Sequence, residues 1–298
     1  MTKLFLSKQS ALLCVIVLTL AYCSPKKETA QEETTTEEVA APKEKPAIGL
    51  QLYTVRDSMA VDPVKTLERV AALGYTHVEL ASYDSGKFYG YEPAAFKKLT
   101  GDLGLTAISA HIPVVHMEEN PELVVQSSAA AGLKYVVLPW LSTEQRESIN
   151  KYKGHIEVIN KIAPMCTEAG LTFAYHNHDF EFDTLEGIVP MEMILAETDP
   201  AHVKLEIDLF WVSRMNIDPV DYLQNNGDRV VLWHVKDMDD TPERGFTEVG
   251  NGVIDYSAIF KLRENTALEY FFVEQDRSDN ALQSIETSYG NVAKILAE

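Results

Sequence analysis

Cysteine is scarce in this chain: 298 residues hold three, with Cys14 and Cys23 near the amino terminus and Cys166 in the body of the sequence. A disulfide framework is therefore excluded. Positive charge is also in short supply, and the formal net charge is −19. Residues 1 to 46 set Lys3, Lys8, Lys26, Lys27, Lys43 and Lys45 against Glu28, Glu32, Glu33, Glu37, Glu38 and Glu44, so the acidic excess belongs to residues 47 to 298. A surface of that sign repels phosphate backbones, which argues against a nucleic-acid partner. No apolar run is long: Ala11 to Ala21 is shorter than the roughly 20 residues a membrane-spanning helix needs.

What the amino terminus does hold is Lys3 and Lys8 ahead of that run, the pattern of a signal peptide over residues 1 to 22. The tetrapeptide Leu20-Ala21-Tyr22-Cys23 resembles the lipobox of bacterial lipoproteins, in which the cysteine is lipidated after cleavage, although Tyr22 stands where a small residue is usual. Residues 23 to 46 consist mainly of Glu, Thr, Lys, Ala and Pro and read as a disordered tether. The expectation is an exported chain held to a bacterial membrane only through lipid on Cys23 and facing the periplasm.

From residue 47 onward, short apolar runs recur with helical stretches between them. They are 48–53, 76–81, 105–111, 135–140, 171–177, 203–208, 230–235 and 270–274. Asp62-Pro63, Glu92-Pro93, Asn120-Pro121 and Asp218-Pro219 each place a cap-like residue before a proline at a helix start. Eight alternating strand and helix units predict an α/β fold, a single (β/α)8 TIM barrel over residues 47 to 298. An open doubly wound sheet would want a Gly-rich phosphate turn after its first strand, and Thr54-Val55-Arg56-Asp57 supplies none.

Active sites of such barrels lie at the carboxyl ends of the strands. The fifth strand ends in Tyr175-His176-Asn177-His178-Asp179-Phe180-Glu181, the sixth in Glu206-Ile207-Asp208, the seventh in His234-Val235-Lys236-Asp237 and the eighth in Glu274-Gln275-Asp276. Imidazole and carboxylate donors without thiolate suit manganese, magnesium, cobalt or zinc. The candidate ligands of one divalent metal are His176, Asp208, His234 and Glu274. His178 lies two residues from His176 and faces the same side, so either can be the ligand, with Glu181 a third choice. Candidate substrate contacts are His111, Glu79, Arg56, Gln51, Tyr53 and Lys236, while Trp140 and Trp211 suit either sugar stacking or core packing. His77, His116, His155 and His202 read as surface or packing residues, and Cys166 as a small buried side chain.

Several of these segments resemble the sugar phosphate isomerase/epimerase group of xylose isomerase-like TIM barrels. The resemblance rests on GLQLYTVRD, GYTHVELAS, FAYHNHDFEF, KLEIDLFWV, WHVKDM and FVEQD in order, and on the loop Glu248 to Tyr256. It implies one divalent metal held by Asp208, His234 and Glu274 with a fifth-strand residue. Where many members place a glutamate on that strand, this chain has His176, so a symmetric two-glutamate epimerase mechanism is not implied. No phosphate cradle accompanies these motifs.

The expected activity is isomerisation or epimerisation of a sugar or keto-sugar through an enediolate. Glu274 would act as base, with His178 or His176 returning the proton. Loss of a β substituent from the same intermediate would make a lyase or dehydratase, acting for example on a keto-glycoside. Two readings from other classes stand beside these: a metal-dependent phosphodiesterase, and a non-catalytic saccharide-binding lipoprotein.

Overall fold

Three of the four prolines singled out open helices in the way their neighbours require. Asp62, Asn120 and Asp218 accept hydrogen bonds from the first-turn amides of helices Pro63–Leu73, Pro121–Ala130 and Pro219–Asn226. Pro93–Asp102 also starts on its proline, but Glu92 makes no side-chain cap. The structure, a computed structural model, describes residues 47–298. The expected signal peptide, Cys23 and the expected tether lie outside the described residues.

The strands are β1 (Gly49–Gln51), β2 (His77–Leu80), β3 (Thr106–His111), β4 (Tyr135–Leu138), β5 (Thr172–His176), β6 (Val203–Asp208), β7 (Val230–Val235) and β8 (Tyr270–Val273). They form one closed parallel barrel in which each pairs with the next and β8 returns to β1. The (β/α)8 expectation therefore holds. Several strands are shorter than the apolar runs suggested, since Leu52 to Val55 already turn as a 3-10 helix after β1. Closure depends on Gly49, where a Cβ would sit 2.5 Å from the Phe272 ring and 2.6 Å from the Phe271 carbonyl oxygen.

Strand side chains alternate, so one set fills the barrel and the other faces the helices. Leu205, Ile207, Trp233, Val235 and Val273 belong to the large helix-facing core. Tyr135, Val137, Ala174, Leu232 and Phe272 form a separate apolar cluster. Two residues further along β5, β7 and β8 from Ala174, Leu232 and Phe272 stand His176, His234 and Glu274. The apolar floor and the polar layer above it thus follow from one register.

After β7 the chain makes a two-stranded ribbon, Asp237–Met238 against Phe246–Thr247. Cys166 is fully buried in the helix Ile149–Glu168, where burial pushes its thiol up to about 12 and leaves it inert.

Candidate active site

The residues at the carboxyl ends of the strands meet in one buried cluster. Glu79, Glu206, Asp208 and His234 are fully buried, and His176, Lys236 and Glu274 nearly so. The Glu79 and Glu206 carboxylates and three imidazoles form its upper half. Glu79 Oε2 lies 2.6 Å from His234 Nε2 and 3.2 Å from His111 Nε2, and accepts from Gln51 Nε2 at 2.7 Å. Glu206 Oε2 lies 2.7 Å from His111 Nε2, 3.1 Å from His176 Nδ1 and 3.3 Å from His234 Nε2.

The other half is built on Lys236. Its Nζ sits 2.7 Å from Asp208 Oδ2, 2.8 Å from Glu274 Oε2 and 2.8 Å from Asp276 Oδ1. His234 joins the halves, because its Nδ1 is 2.6 Å from Glu274 Oε2. Asp208 also caps the next helix, with Oδ1 accepting from the Phe210 and Trp211 amides, and its own amide donates to Asn177 Oδ1 at 3.0 Å.

Burial and charge compete throughout. Burial disfavours the Lys236 ammonium, but Asp208, Asp276 and Glu274 outweigh it and hold the group well above its ordinary value. Burial likewise opposes the charged form of Glu274, yet Lys236 and His234 keep this carboxyl below the usual carboxylate range. Asp208 is pushed up to about 6, burial exceeding the help from Lys236 and His234. Against burial, Glu79 and Glu206 raise His111 to about 9. His176 and His178 are driven well down by burial, with cationic neighbours adding to it, so both are neutral imidazoles.

An aromatic group adjoins the cluster, the His178 ring lying 5.1 Å from the His176 ring. The His178 ring stacks on Phe180 at 5.3 Å and lies 5.5 Å from Trp211, whose ring is backed by Phe210 and Phe246 at 4.9 and 5.7 Å. The Arg146 guanidinium covers Phe180 at 3.9 Å. His178 Nδ1 is buried and has no hydrogen-bond partner among the described residues.

The structure brings His176, Asp208, His234 and Glu274 together, with His111, Glu79 and Lys236 among them. The donor atoms fall into two overlapping sets that share His234: His111, His176, Glu206 and His234, and Asp208, His234 and Glu274, each within 4.8 Å. These residues fit a divalent cation, since Glu79 Oε1 and Glu206 Oε1 are buried carboxylate oxygens with no partner among the described residues.

Arg56 stays apart, donating to the Tyr53 carbonyl at 2.8 Å with its guanidinium over the Tyr53 ring. Glu181 turns away from the cluster and accepts from Tyr175 Oη at 2.8 Å and the His178 amide at 2.7 Å, which fixes the loop carrying His178. Trp140 is 49% exposed, which removes core packing as its role. His155 is a buried packing residue bonded to the Gln145 carbonyl.

Sequence reasoning singled out neither Glu206 nor Asp276. The signal was present, for each lies two residues from a chosen ligand, Asp208 or Glu274, and Glu206 shares one face of β6 with Asp208.

Comparison with known proteins agrees with this architecture. A family model described as xylose isomerase-like TIM barrel matches residues 67–290. An inosose dehydratase of Geobacillus kaustophilus is 25% identical over 252 residues, covering 72% of this chain and 80% of that protein. The crystal structure of a sugar phosphate isomerase/epimerase from Parabacteroides distasonis superposes with a TM-score of 0.74 at 24% identity, covering 87% of this chain and 97% of the other. The IolI protein, solved with a bound zinc atom, has a TM-score of 0.66 at 17% identity, covering 85% and 98%.

Proposed function

The chain belongs to the xylose isomerase-like TIM barrel family, and from that membership together with the site we propose that it is a divalent-metal-dependent enzyme moving a proton next to the carbonyl of a sugar or keto-sugar. The observation that carries this reading is the buried imidazole and carboxylate cluster at the strand ends, with orphaned carboxylate oxygens inside it. The metal's ligands come from among the donors His111, His176, Glu206, Asp208, His234 and Glu274. When bound, it supplies Lewis-acid charge toward a substrate carbonyl oxygen.

The remaining work falls to the chain's own residues. A sugar entering the mouth meets the Trp211 face, and a ring of this kind suits the apolar C–H face of a pyranose. His178 is neutral and has a free nitrogen, so it accepts the proton from the carbon beside the carbonyl and gives it back. Glu274 is a poorer base than the sequence suggested, because His234 and Lys236 occupy its oxygen and hold it ionised. Return of the proton to the other face gives an epimer, return to the adjacent carbon gives an isomer, and expulsion of a β substituent gives an unsaturated keto-sugar. The last outcome, a dehydratase or keto-glycoside lyase, is favoured as second reading by the likeness to an inosose dehydratase.

Export and a lipid anchor on Cys23 would place such a substrate outside the cytoplasm. The test is proton NMR of candidate keto-sugars in deuterated buffer with the metal-loaded chain. Metal-dependent deuterium uptake at the α carbon is expected, and turnover without any uptake would sink the proton-transfer mechanism.

A further inference from the structure

Two arginines outside the cluster hold each other's backbone. Arg214 ends the helix Leu209–Arg214 that carries Trp211, and Arg244 stands at the tip of the ribbon after β7, two residues before Phe246. The Arg244 guanidinium donates through Nη1 to the Arg214 carbonyl at 3.1 Å and through Nη2 to the Ser213 carbonyl at 2.8 Å. Arg214 answers through its own Nη1, donating to the Arg244 carbonyl at 2.7 Å and the Glu243 carbonyl at 3.1 Å. Arg244 also donates from Nη1 to Asn216 Oδ1 at 2.8 Å, and its Nε lies 3.1 Å from Met238 Sδ.

Charge pairing does not explain this arrangement. The chain has 45 acidic residues against 26 basic ones, and Arg69 pairs with Glu286, yet neither Arg214 nor Arg244 forms an ion pair with a carboxylate among the described residues. Their donors go to carbonyls instead, and a planar guanidinium reaches several at once where an ammonium cannot. The Ser213 and Arg214 carbonyls close the helix at its carboxyl end, where intrahelical donors run out and a cation is favoured. Arg244 meets them from a left-handed backbone, φ +52°, that suits glycine better. Glycine there would relax the turn and lose each of these side-chain contacts.

The two segments joined by this clasp are the ones that support Trp211. Phe246, on the ribbon, stacks on Phe210 at 4.4 Å and meets the Trp211 ring edge-on at 5.7 Å. The Arg214 guanidinium lies 6.0 Å from the centre of the Trp211 ring, and Trp211 in turn stands 5.5 Å from His178. We infer that Arg214 and Arg244 are positioning residues for substrate binding: they lock the ribbon tip to the helix and so set the Trp211 ring against His178. How a sugar ring lies over the proton-transferring imidazole then depends on a contact outside the pocket. The substrate half of this inference rests on the proton-transfer reading above, whereas the clasp stands on its own geometry. Both arginines act through Trp211.

The chain has three tryptophans, so its indole N–H groups give three signals in proton–nitrogen NMR: Trp140 is 49% exposed, Trp233 is fully buried on β7, and Trp211 is the one beside the clasp. In the full chain, Arg244→Ala and Arg244→Gly should each shift or broaden the Trp211 signal, identified by its absence from Trp211→Phe, and leave those of Trp140 and Trp233 in place. Glycine suits the left-handed turn, so the second variant decides the matter where the first fails to fold. A Trp211 signal that stays in place, or three signals that all move in both variants, overturns the assignment. Kinetics supply the second arm, on whichever keto-sugar exchanges its α proton. Either variant should raise KM by roughly two- to tenfold, no more than loss of the aromatic contact itself would. In a Trp211→Ala background the same substitution should add nothing, and a further rise there would show Arg244 acting by another route and overturn the inference. If no keto-sugar exchanges, the proton-transfer reading falls and the NMR arm alone decides the clasp.

Discussion

The Asp237 carboxylate holds the backbone of Gly250, accepting its amide proton at 2.8 Å through Oδ2. The same oxygen accepts from Gly252, and Oδ1 accepts from Met238 and Ile254. One side chain thus closes the loop after β7, and no side chain fits at Gly252, where a Cβ would lie 2.3 Å from Asp237 Oδ1. Asp237→Asn replaces one acceptor by a donor facing backbone N–H groups. Hydrogen bonds to charged groups contribute about 1.5 to 3 kcal/mol each, so a loss of several kcal/mol in urea unfolding is expected. Hydrogen exchange at the Gly250 and Gly252 amides should quicken. Unchanged protection would show that the loop is held by other contacts.

Lys236 gives a second prediction. Lys236→Met leaves Asp208, Glu274 and Asp276 facing one another without their cation, and breaking a buried pair from one side costs about 3 to 5 kcal/mol. The variant should unfold at lower denaturant than the parent at neutral pH and recover part of the deficit in mild acid, where a carboxylate can be protonated. A denaturation midpoint equal to the parent's at both pH values would mean that the ammonium adds nothing to the fold.

Most of the barrel was legible because parallel strands buried on both faces read as short apolar runs, and because Asp62-Pro63, Asn120-Pro121 and Asp218-Pro219 mark helix starts unambiguously. The placement of His176, Asp208, His234 and Glu274 at strand ends was legible for the same reason. Their division of labour was not. Whether Glu274 touches a metal or a lysine depends on side-chain directions across β7 and β8, which no spacing within one strand encodes. Glu79 and His111 invited a hydroxyl-binding role, whereas the barrel packs both against His234. Arg56 shows the converse: its position after β1 suggested the site, but Tyr53 lies close enough to capture the guanidinium.

That contrast separates Trp211 from Arg56 in binding. Trp211 lies beside His178 and 5.9 Å from the Lys236 ammonium. An aromatic contact beyond area burial contributes about 0.5 to 1.5 kcal/mol, so Trp211→Ala should raise KM for a turned-over sugar by roughly two- to tenfold. Arg56→Ala should leave KM unchanged within error. Steady-state kinetics on both variants decide the point, and a larger effect from Arg56→Ala would restore the role that the sequence suggested for it.

Glu181 makes the stability of the fold depend on pH with a definite sign. Burial raises its carboxyl from an ordinary 4.5 to about 7, in spite of hydrogen bonds from the His178 amide and Tyr175. The folded chain therefore keeps a proton at pH values where the unfolded chain has released it. The stabilisation is full below the unfolded pKa and is lost as pH rises through the folded one, that is, between about 4.5 and about 7. At ~1.4 kcal/mol per unit the shift corresponds to roughly 3 kcal/mol at most. Glu181→Gln carries no ionisable proton, so the variant should be indifferent to this step. The unfolding free energy of the parent minus that of Glu181→Gln should fall between pH 5 and pH 8. This difference cancels the contribution of the rest of the acidic surface, and a value that stays flat across the range would mean that Glu181 is ionised at both ends and that the loop bearing His178 tolerates a buried charge.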